Sequence, residues 1–357
     1  MRAAVARAVD EPVEVRDDVE LAGPGTGEVR VAVRATGVCH SDRSILDGTV
    51  PVPLPCVPGH EGAGVVVGVG DDVAGIALGQ PVILSWIPLC GACWFCRHGK
   101  PHLCTETAAA AMRSSLSIGG ERIGAGIGPA CFAEETVVPA AGVIPIPDDV
   151  PFEVAALVGC AVTTGVGAAV NTARVQPGSS VVVIGCGGVG ISAIQGARLC
   201  GAAEIVAVDP VESRRAEARR FGATHDAHPD ALPDVLGEVT TGLGFDFAFE
   251  VVGRPGTIRL AWNATKRGGT TTIVGAGRMD DELRFTPFEL FYFERRLLGC
   301  VYGSADPRVD FPRLLRLWRT GRLDLAGMVT GRAGLDAVND AFGAMDRGEG
   351  IRTVLEP

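Results

Sequence analysis

The sequence predicts an α/β protein in which a doubly wound parallel sheet is inserted into a mainly β domain. Three features of the 357-residue chain predict it. The first part is turn-rich, with short β-branched runs broken by Gly and Pro. From about Gly178, buried-strand runs alternate with helical patterns, the rhythm of βαβ units. After Ser304 come two helical patterns and a closing strand, so the first domain is split around the second. The expected boundaries are residues 1–161 with 304–357 for the outer domain and 162–303 for the inserted one. A prior of roughly 150 residues per domain also gives two.

The elements follow in order. Glu28–Ala35 and Gly64–Val69 are β-branched runs suited to an antiparallel or barrel-like region. SSVVVIG (179–185) is a buried-strand run around Val181–Ile184 and precedes a helix over 188–200. EIVAVD (204–209) precedes the helical SRRAEARRFG, and FDFAFEVVG (245–253) precedes a helix over Thr257–Lys266. TTTIVGAG (270–277) and RRLLGCVYG (295–303) complete the parallel set. Helices over Phe311–Thr320 and Leu335–Arg347 and the strand IRTVLE close the chain.

Acidic residues outnumber basic ones, for a formal net charge of −10, and there is no basic run. Such a chain has no electrostatic footprint for nucleic acid. The opening MRAAVARAVDEPVEV lacks the apolar stretch of a signal peptide. No apolar run reaches the ~18 residues of a membrane span; the longest candidate, Val181–Ala197, is cut by five glycines and Gln195. The expectation is a soluble, cytoplasmic protein. Its eleven cysteines are then reduced, and an odd count argues against a pure disulfide framework. Metal ligation accounts for some of them and burial for the rest.

GCGGVG (185–190) follows a buried strand and opens a helix. Gly185 makes the tight turn, Gly187 lets backbone approach a pyrophosphate, and Gly190 allows close helix packing. The helix N-terminus, with Gly188 and Val189, offers free N–H groups to phosphate. Asp209 ends the next strand, 19 residues after Gly190, where an acid accepts from ribose hydroxyls and repels a 2′-phosphate. This favours NAD over NADP. Arg214 and Arg215 lie nearby and could blunt the preference.

LCGACWFCRHGKPHLC (89–104) sets cysteines at 90, 93, 96 and 104. Four thiolates complete a tetrahedral Zn2+ shell and leave substrate no open position, which marks a structural site. A [4Fe–4S] cluster also takes four thiolates and competes, although its bacterial run ends with a shorter spacing and a Pro. His98 and His102 read as bystanders. A catalytic zinc needs three protein ligands and one open place. Cys39 in GVCHSD, His60 with Glu61 in VPGHEGAGVV, and Cys160 in LVGCAVTTG are candidates. Their spacing cannot join them, and each reads equally well as a buried residue.

Several segments taken together resemble a known family. They are Gly59-His60-Glu61-x2-Gly64-x5-Gly70-x2-Val73, the four-cysteine lobe, the segment Gly159–Gly165, the GCGGVG turn with Asp209, and the closing GIRTVL. From first strand to C-terminus the chain resembles the zinc-containing medium-chain alcohol dehydrogenases, nearest the liver-type and glutathione-dependent formaldehyde dehydrogenase branch. The resemblance implies a Rossmann domain inserted in a GroES-like domain, NAD as cofactor, and two Zn2+ per chain. It implies Cys39, His60 and Cys160 as catalytic zinc ligands and the four-cysteine lobe as the structural site. Glu61 is similar to the acid that can approach the metal, and Asp42 to the carboxylate that orients the His60 imidazole. Ser41 matches the hydroxyl that hydrogen-bonds the substrate oxygen. His40 and Arg352 match pyrophosphate contacts, and Val252, Val274 and Ala276 further cofactor contacts. Zinc lowers the pKa of a bound alcohol and NAD accepts its hydride, while the proton leaves through Ser41 and the nicotinamide ribose. The resemblance also implies a homodimer, or a tetramer, paired through the strand near Leu297–Tyr302.

Three departures shape the expected substrate, a small alcohol or aldehyde. Ser44 stands where liver-type enzymes carry a relay His. Val50 replaces the acid of the glutathione-using branch, and the Arg-bearing segment of that branch falls in Thr105–Cys131, which is shorter here. A glutathione adduct is therefore disfavoured. The expected pocket combines Trp86 and Val301 with the small residues Gly126 and Ala276, which suits a bulky apolar primary alcohol, benzylic, allylic or terpenoid. The rivals are a thiol-adduct formaldehyde dehydrogenase, a nicotinoprotein that keeps its NAD bound, and a redox-dead zinc-binding member. The last would be expected to lose a ligand or the relay hydroxyl, and Cys39, Ser41, His60, Glu61 and Cys160 are all present.

Overall fold

The computed structural model describes residues 1–107 and 113–357. The chain forms two compact units, Met1–Ala161 with Asp306–Pro357, and Val162–Ala305.

The first unit is built on a seven-stranded sheet. Its order is Val143–Pro145, Pro81–Leu84, Glu61–Val69, Glu28–Gly37, Arg352–Glu356 and Val329–Gly334, with Glu135–Pro139 also paired to Glu28–Gly37. The closing strand sits beside the long strand Glu28–Gly37, which ties the last residues of the chain to its first third. Within that strand Val29, Val31 and Val33 alternate inward and pack on Val66, Val82, Leu84, Cys131 and Val138. Register shifts at Arg30/Val31 and Val33/Ala35 bend it, as bulges do in closed or curled sheets. A two-stranded and a three-stranded sheet, the latter pairing Val19–Leu21, Leu116–Ile118 and Glu121–Arg122, complete the β framework.

The second unit is a six-stranded parallel sheet. Its spatial order is His225–Ala227, Glu204–Val208, Ser180–Ile184, Phe245–Glu250, Thr265–Ile273 and Arg296–Gly299. In chain order that is 3-2-1-4-5-6, the doubly wound dinucleotide-binding order, with the switch point beside Ser180–Ile184. Val182, Ile184, Val206, Val208, Phe245 and Ala248 form its core with Ala261 and Ala264.

Three elements differ from the sequence reading. The helix expected to end at Lys266 stops at Ala264. Thr265 turns extended (φ −79°, ψ 133°), and its hydroxyl bonds the Ala261 carbonyl and Thr271. A helix at Pro287–Phe293 was not anticipated, although Thr286 and Glu289 form a capping box around Pro287. The helical stretch Phe152–Ala173 is 22 residues long and apolar enough to cross a membrane, which corrects the expectation that no such run exists. Its Gly, Ala and Thr residues mask its length to the eye. In the fold 83% of its most apolar window is buried inside the protein, the environment of a core helix.

Candidate active site

Cys39 follows the end of strand Glu28–Gly37 and caps the short helix His40–Leu46. Two residues into that helix, Asp42 is completely buried and turns back. Its Oδ2 accepts the Cys39 N–H at 3.3 Å, and its Oδ1 accepts the Gly59 N–H at 3.0 Å. The same Oδ1 lies 2.9 Å from Nδ1 of His60, itself only 1% exposed. One carboxylate thus fixes the helix start, the turn before the next strand and the imidazole ring. With Nδ1 donating to that oxygen, the Nε2 lone pair faces the other way.

Among the described residues, that Nε2 has no hydrogen-bond partner. Neither do the two carboxylate oxygens of Glu61, which is fully buried at the start of the next strand. Cys160 arrives from a π-helical turn, Val158–Val162, a local widening that re-aims a side chain and recurs at functional positions. One donor atom each from Cys39, His60, Glu61 and Cys160 lies within 4.8 Å of all the others. Buried polar atoms left unpaired cost about 1–3 kcal/mol each. Two sulfurs and an imidazole nitrogen converging on one buried point are the donor set of a zinc centre, and they fit it. The Cys39 thiol is held well below its ordinary value, first by a hydrogen bond from Cys160, whose own thiol is pushed well above it. Burial pushes the Glu61 carboxyl up to about 8, against the pull of the Arg352 guanidinium.

Arg352 is itself buried. Its Nη1 donates to the Val38 carbonyl at 2.6 Å, and its Nη2 lies 3.6 Å from Glu61 Oε1. The sequence reading did not pair these two residues, because the strands that carry them are far apart in the chain. Ser41 Oγ lies 3.8 Å from the Cys39 sulfur, and His40 is exposed on the same short helix.

The second cluster, Cys90, Cys93, Cys96 and Cys104, also has its donor atoms within 4.8 Å of one another. The Cys90–Cys96 and Cys93–Cys104 sulfurs are each 4.0 Å apart. A tetrahedron with metal–sulfur bonds of ~2.3 Å has edges of ~3.8 Å, so the cluster fits one zinc ion. Backbone N–H groups of Cys90, Ala92, Cys93 and Cys96 point at these sulfurs at 3.2–3.5 Å, which disperses thiolate charge. His98 is outside the shell: it stacks on Trp94, and its Nδ1 lies 2.7 Å from the Trp94 carbonyl.

In the second unit Gly185 turns with φ +97°, a conformation that favours glycine. A Cβ at Gly190 would lie 1.8 Å from the Gly185 carbonyl oxygen, so only glycine lets the helix Gly188–Leu199 start so close to the strand. A Cβ at Gly187 would meet no protein atom within 4 Å. Packing does not require glycine there, and the open space lies at the helix N-terminus, where a pyrophosphate binds. Asp209 is 3% exposed, and its two oxygens accept N–H groups from Cys186 and Val211, each at 2.9 Å. It therefore braces the glycine turn itself. Arg214 is half-buried, while Arg215 Nη1 donates to the Asp209 carbonyl at 2.8 Å. Glu250, unanticipated, accepts N–H groups from Val252 and Gly253 and the Thr257 hydroxyl, shaping the turn that carries Val252. Val252 and Ala276 are exposed and Val274 is half-buried.

The expected pocket residues are not all drawn together. Trp86 is half-buried and separated from His60 by Gly128, where a Cβ would lie 2.9 Å from Trp86 Cβ and 3.4 Å from His60 Cβ. Trp86 lines a cavity with Leu21, Ser85, Pro88, Leu116 and Gly128. Val50, Gly126 and Val301 do not line that cavity. Val50 is half-buried, Gly126 turns with φ +58°, and Val301 is exposed in the second unit. Part of the shortened Thr105–Cys131 segment, residues 108–112, lies outside the described residues.

Known proteins show the same architecture. Residues 25–148 match the alcohol dehydrogenase GroES-like domain, and residues 188–320 match the zinc-binding dehydrogenase domain. The chain is 37% identical to an S-(hydroxymethyl)glutathione dehydrogenase of Paracoccus denitrificans, over 99% of each chain. It is also 37% identical to alcohol dehydrogenase B of Mycobacterium tuberculosis, over 95% of this chain and 94% of that one. Among solved structures, benzyl alcohol dehydrogenase from Acinetobacter calcoaceticus superposes with a TM-score of 0.92 at 32% identity, over 99% of this chain and 98% of that one. With two thiolate-bearing metal clusters, a dinucleotide turn and near full-length identity of this order, the chain belongs to the zinc-dependent alcohol dehydrogenase family.

Proposed function

We propose that this protein oxidises a bulky, apolar primary alcohol of the benzylic or allylic kind to its aldehyde, reversibly, with NAD as hydride acceptor. The observation that carries the reading is the buried donor set of Cys39, His60 and Cys160, with His60 Nε2 left without a partner. When bound, zinc would supply Lewis acidity toward an alcohol oxygen and NAD would supply the hydride acceptor. The protein supplies position. Asp42 holds the imidazole so that Nε2 is presented to the metal. Ser41, on the helix that Cys39 caps, accepts the hydroxyl proton and passes it outward, with Ser44 further along the same helix. Gly187 and the N-terminus of helix Gly188–Leu199 hold the pyrophosphate. Asp209 favours a ribose without a 2′-phosphate. Trp86, on the far side of Gly128 from His60, is the aromatic residue that shapes the substrate side.

The Paracoccus relative is named for a glutathione adduct, which supports a second reading, a thiol-adduct formaldehyde dehydrogenase. Val50 in place of an acid speaks against it. A screen of NADH formation at 340 nm decides between them, with benzyl, cinnamyl and aliphatic alcohols beside S-(hydroxymethyl)glutathione. The expected result is the highest kcat/KM with a benzylic or allylic alcohol. A preference for the glutathione adduct would replace the first reading with the second. The protein works in the cytoplasm as a homodimer joined through the edge strand Arg296–Gly299. In the helix Pro287–Phe293 that precedes this strand, Phe288, Phe291 and Tyr292 are exposed.

A further inference from the structure

The strand Glu28–Gly37 lies between the strand that begins at Glu61 and the strand that begins at Arg352. Its last residue, Gly37, is paired with Glu61 on one side and with Val354 on the other. Side chains at paired positions stand on the same face of a sheet, so a side chain at Gly37 would stand beside that of Glu61. A Cβ there would lie 2.1 Å from Glu61 Oε2, 3.1 Å from its carboxyl carbon and 3.2 Å from its Cβ. The carboxylate of Glu61 therefore occupies the place that any other residue at position 37 would fill. By lying across the middle strand it comes within 3.6 Å of Arg352 Nη2, and Arg352 is anchored in turn on the Val38 carbonyl.

Glu61 has a second place to go. It is fully buried, its oxygens make no hydrogen bond, and one of them lies within 4.8 Å of the Cys39, His60 and Cys160 donor atoms. A carboxylate is an acceptable fourth ligand for zinc and would close the shell against substrate. Bulk solvent does not reach Glu61, so its carboxylate is held by what lies inside the site. The choice is between the space over Gly37 and the metal centre. Filling the first with one methyl group forces the carboxylate toward the second.

We propose that Gly37 is a positioning residue of the metal centre: its missing side chain lets the Glu61 carboxylate rest over the middle strand against Arg352, which keeps one coordination position open for substrate. The proposal rests on the dehydrogenase reading above. It assigns the position a job that strand propensity opposes, since glycine weakens a strand interior.

The test uses the full-length protein loaded with Co2+ in place of zinc, titrated with imidazole and followed by visible absorption. Wild type is expected to hold two cobalt ions per chain and to bind imidazole with a change in its visible bands. Gly37→Ala is expected to show altered bands before any imidazole is added and an imidazole affinity about tenfold or more weaker. Adding Glu61→Ala to Gly37→Ala is expected to restore the affinity of Glu61→Ala alone, a rescue that a general weakening of the strand would not give. Should Gly37→Ala fail to fold, Arg352→Gln removes the anchor from the other side and is expected to weaken imidazole binding to the same extent. Wild-type affinity in Gly37→Ala, or in Arg352→Gln as its substitute, overturns the proposal. So does a double variant as impaired as Gly37→Ala. A wild-type protein that takes up cobalt only at the four-cysteine cluster and ignores imidazole overturns the dehydrogenase reading, and this proposal falls with it.

Discussion

The imidazole of His60 has one nitrogen committed and one left over. Asp42 takes the first at 2.9 Å, and none of the described residues takes the second. A buried ring would normally satisfy both nitrogens, so the unmatched one marks a ligand position. In the proposed function Cys39 and Cys160 are the other two protein ligands, with Cys160 presented from its π-helical turn. The Cys160→Ala variant should lower kcat/KM for the alcohol by about 10²–10³-fold or more, the scale for losing an electrophilic contact. Its bound zinc should fall from two ions per chain to one, while its Tm stays near that of wild type. NADH formation and metal analysis check this, and turnover at the wild-type rate would remove Cys160 from the reacting centre. His60 and Glu61 were visible in the sequence as part of one spaced run. The Glu61–Arg352 pair was not, because no local pattern links residues that meet only across a sheet.

At the scale of elements, the two cysteine clusters differ in construction. The four cysteines at 90, 93, 96 and 104 lie in one loop, and the backbone alone brings them together. A helix of one turn, Trp94–Arg97, is capped by the Cys93 sulfur, which accepts the Cys96 N–H. The metal therefore takes the place of a hydrophobic core that so short a loop cannot bury. Cys93→Ala should cost about 3 kcal/mol or more of stability and roughly 5–10 °C in Tm, the class of loss seen when a structural metal site is broken. Calorimetry with zinc analysis reads both quantities. A variant as stable as wild type yet inactive would make this cluster part of the chemistry instead. Elements with a strong local pattern were legible in advance, such as the apolar run 181–184 and the helix that follows its glycines. The helix Pro287–Phe293 was missed although its Thr-Pro-Phe-Glu capping signal was in the sequence, because its apolar residues show no helical stripe. Most of them are exposed, and a helix whose apolar face is not turned to a core leaves no such period to read.

At the scale of the whole molecule, the first unit is closed by a strand from the far end of the chain, and the second has a free sheet edge at Arg296–Gly299. Phe288, Phe291 and Tyr292, in the helix that precedes that edge strand, are 51–79% exposed. Clustered exposed aromatics and an open strand are what a protein covers by association. Sedimentation velocity should give a homodimer, and Leu298→Arg on the edge strand should shift it toward monomer. A wild-type protein that sediments as a monomer at micromolar concentration would reject the pairing.

The sequence by itself determined the βαβ rhythm, the dinucleotide turn and the four-cysteine cluster. Each is written in neighbouring residues, where spacing and periodicity act directly on backbone geometry. It also carried, through motif resemblance, the identities of Cys39, His60 and Cys160 as a set. Only the tertiary structure decided that their donor atoms converge within 4.8 Å, that Asp42 sets the His60 ring, and that Glu61 lies over Gly37 toward Arg352. Those facts depend on which strands lie side by side. Strand order is fixed by burial and hydrogen bonding across the whole sheet, and no stretch of local sequence records it.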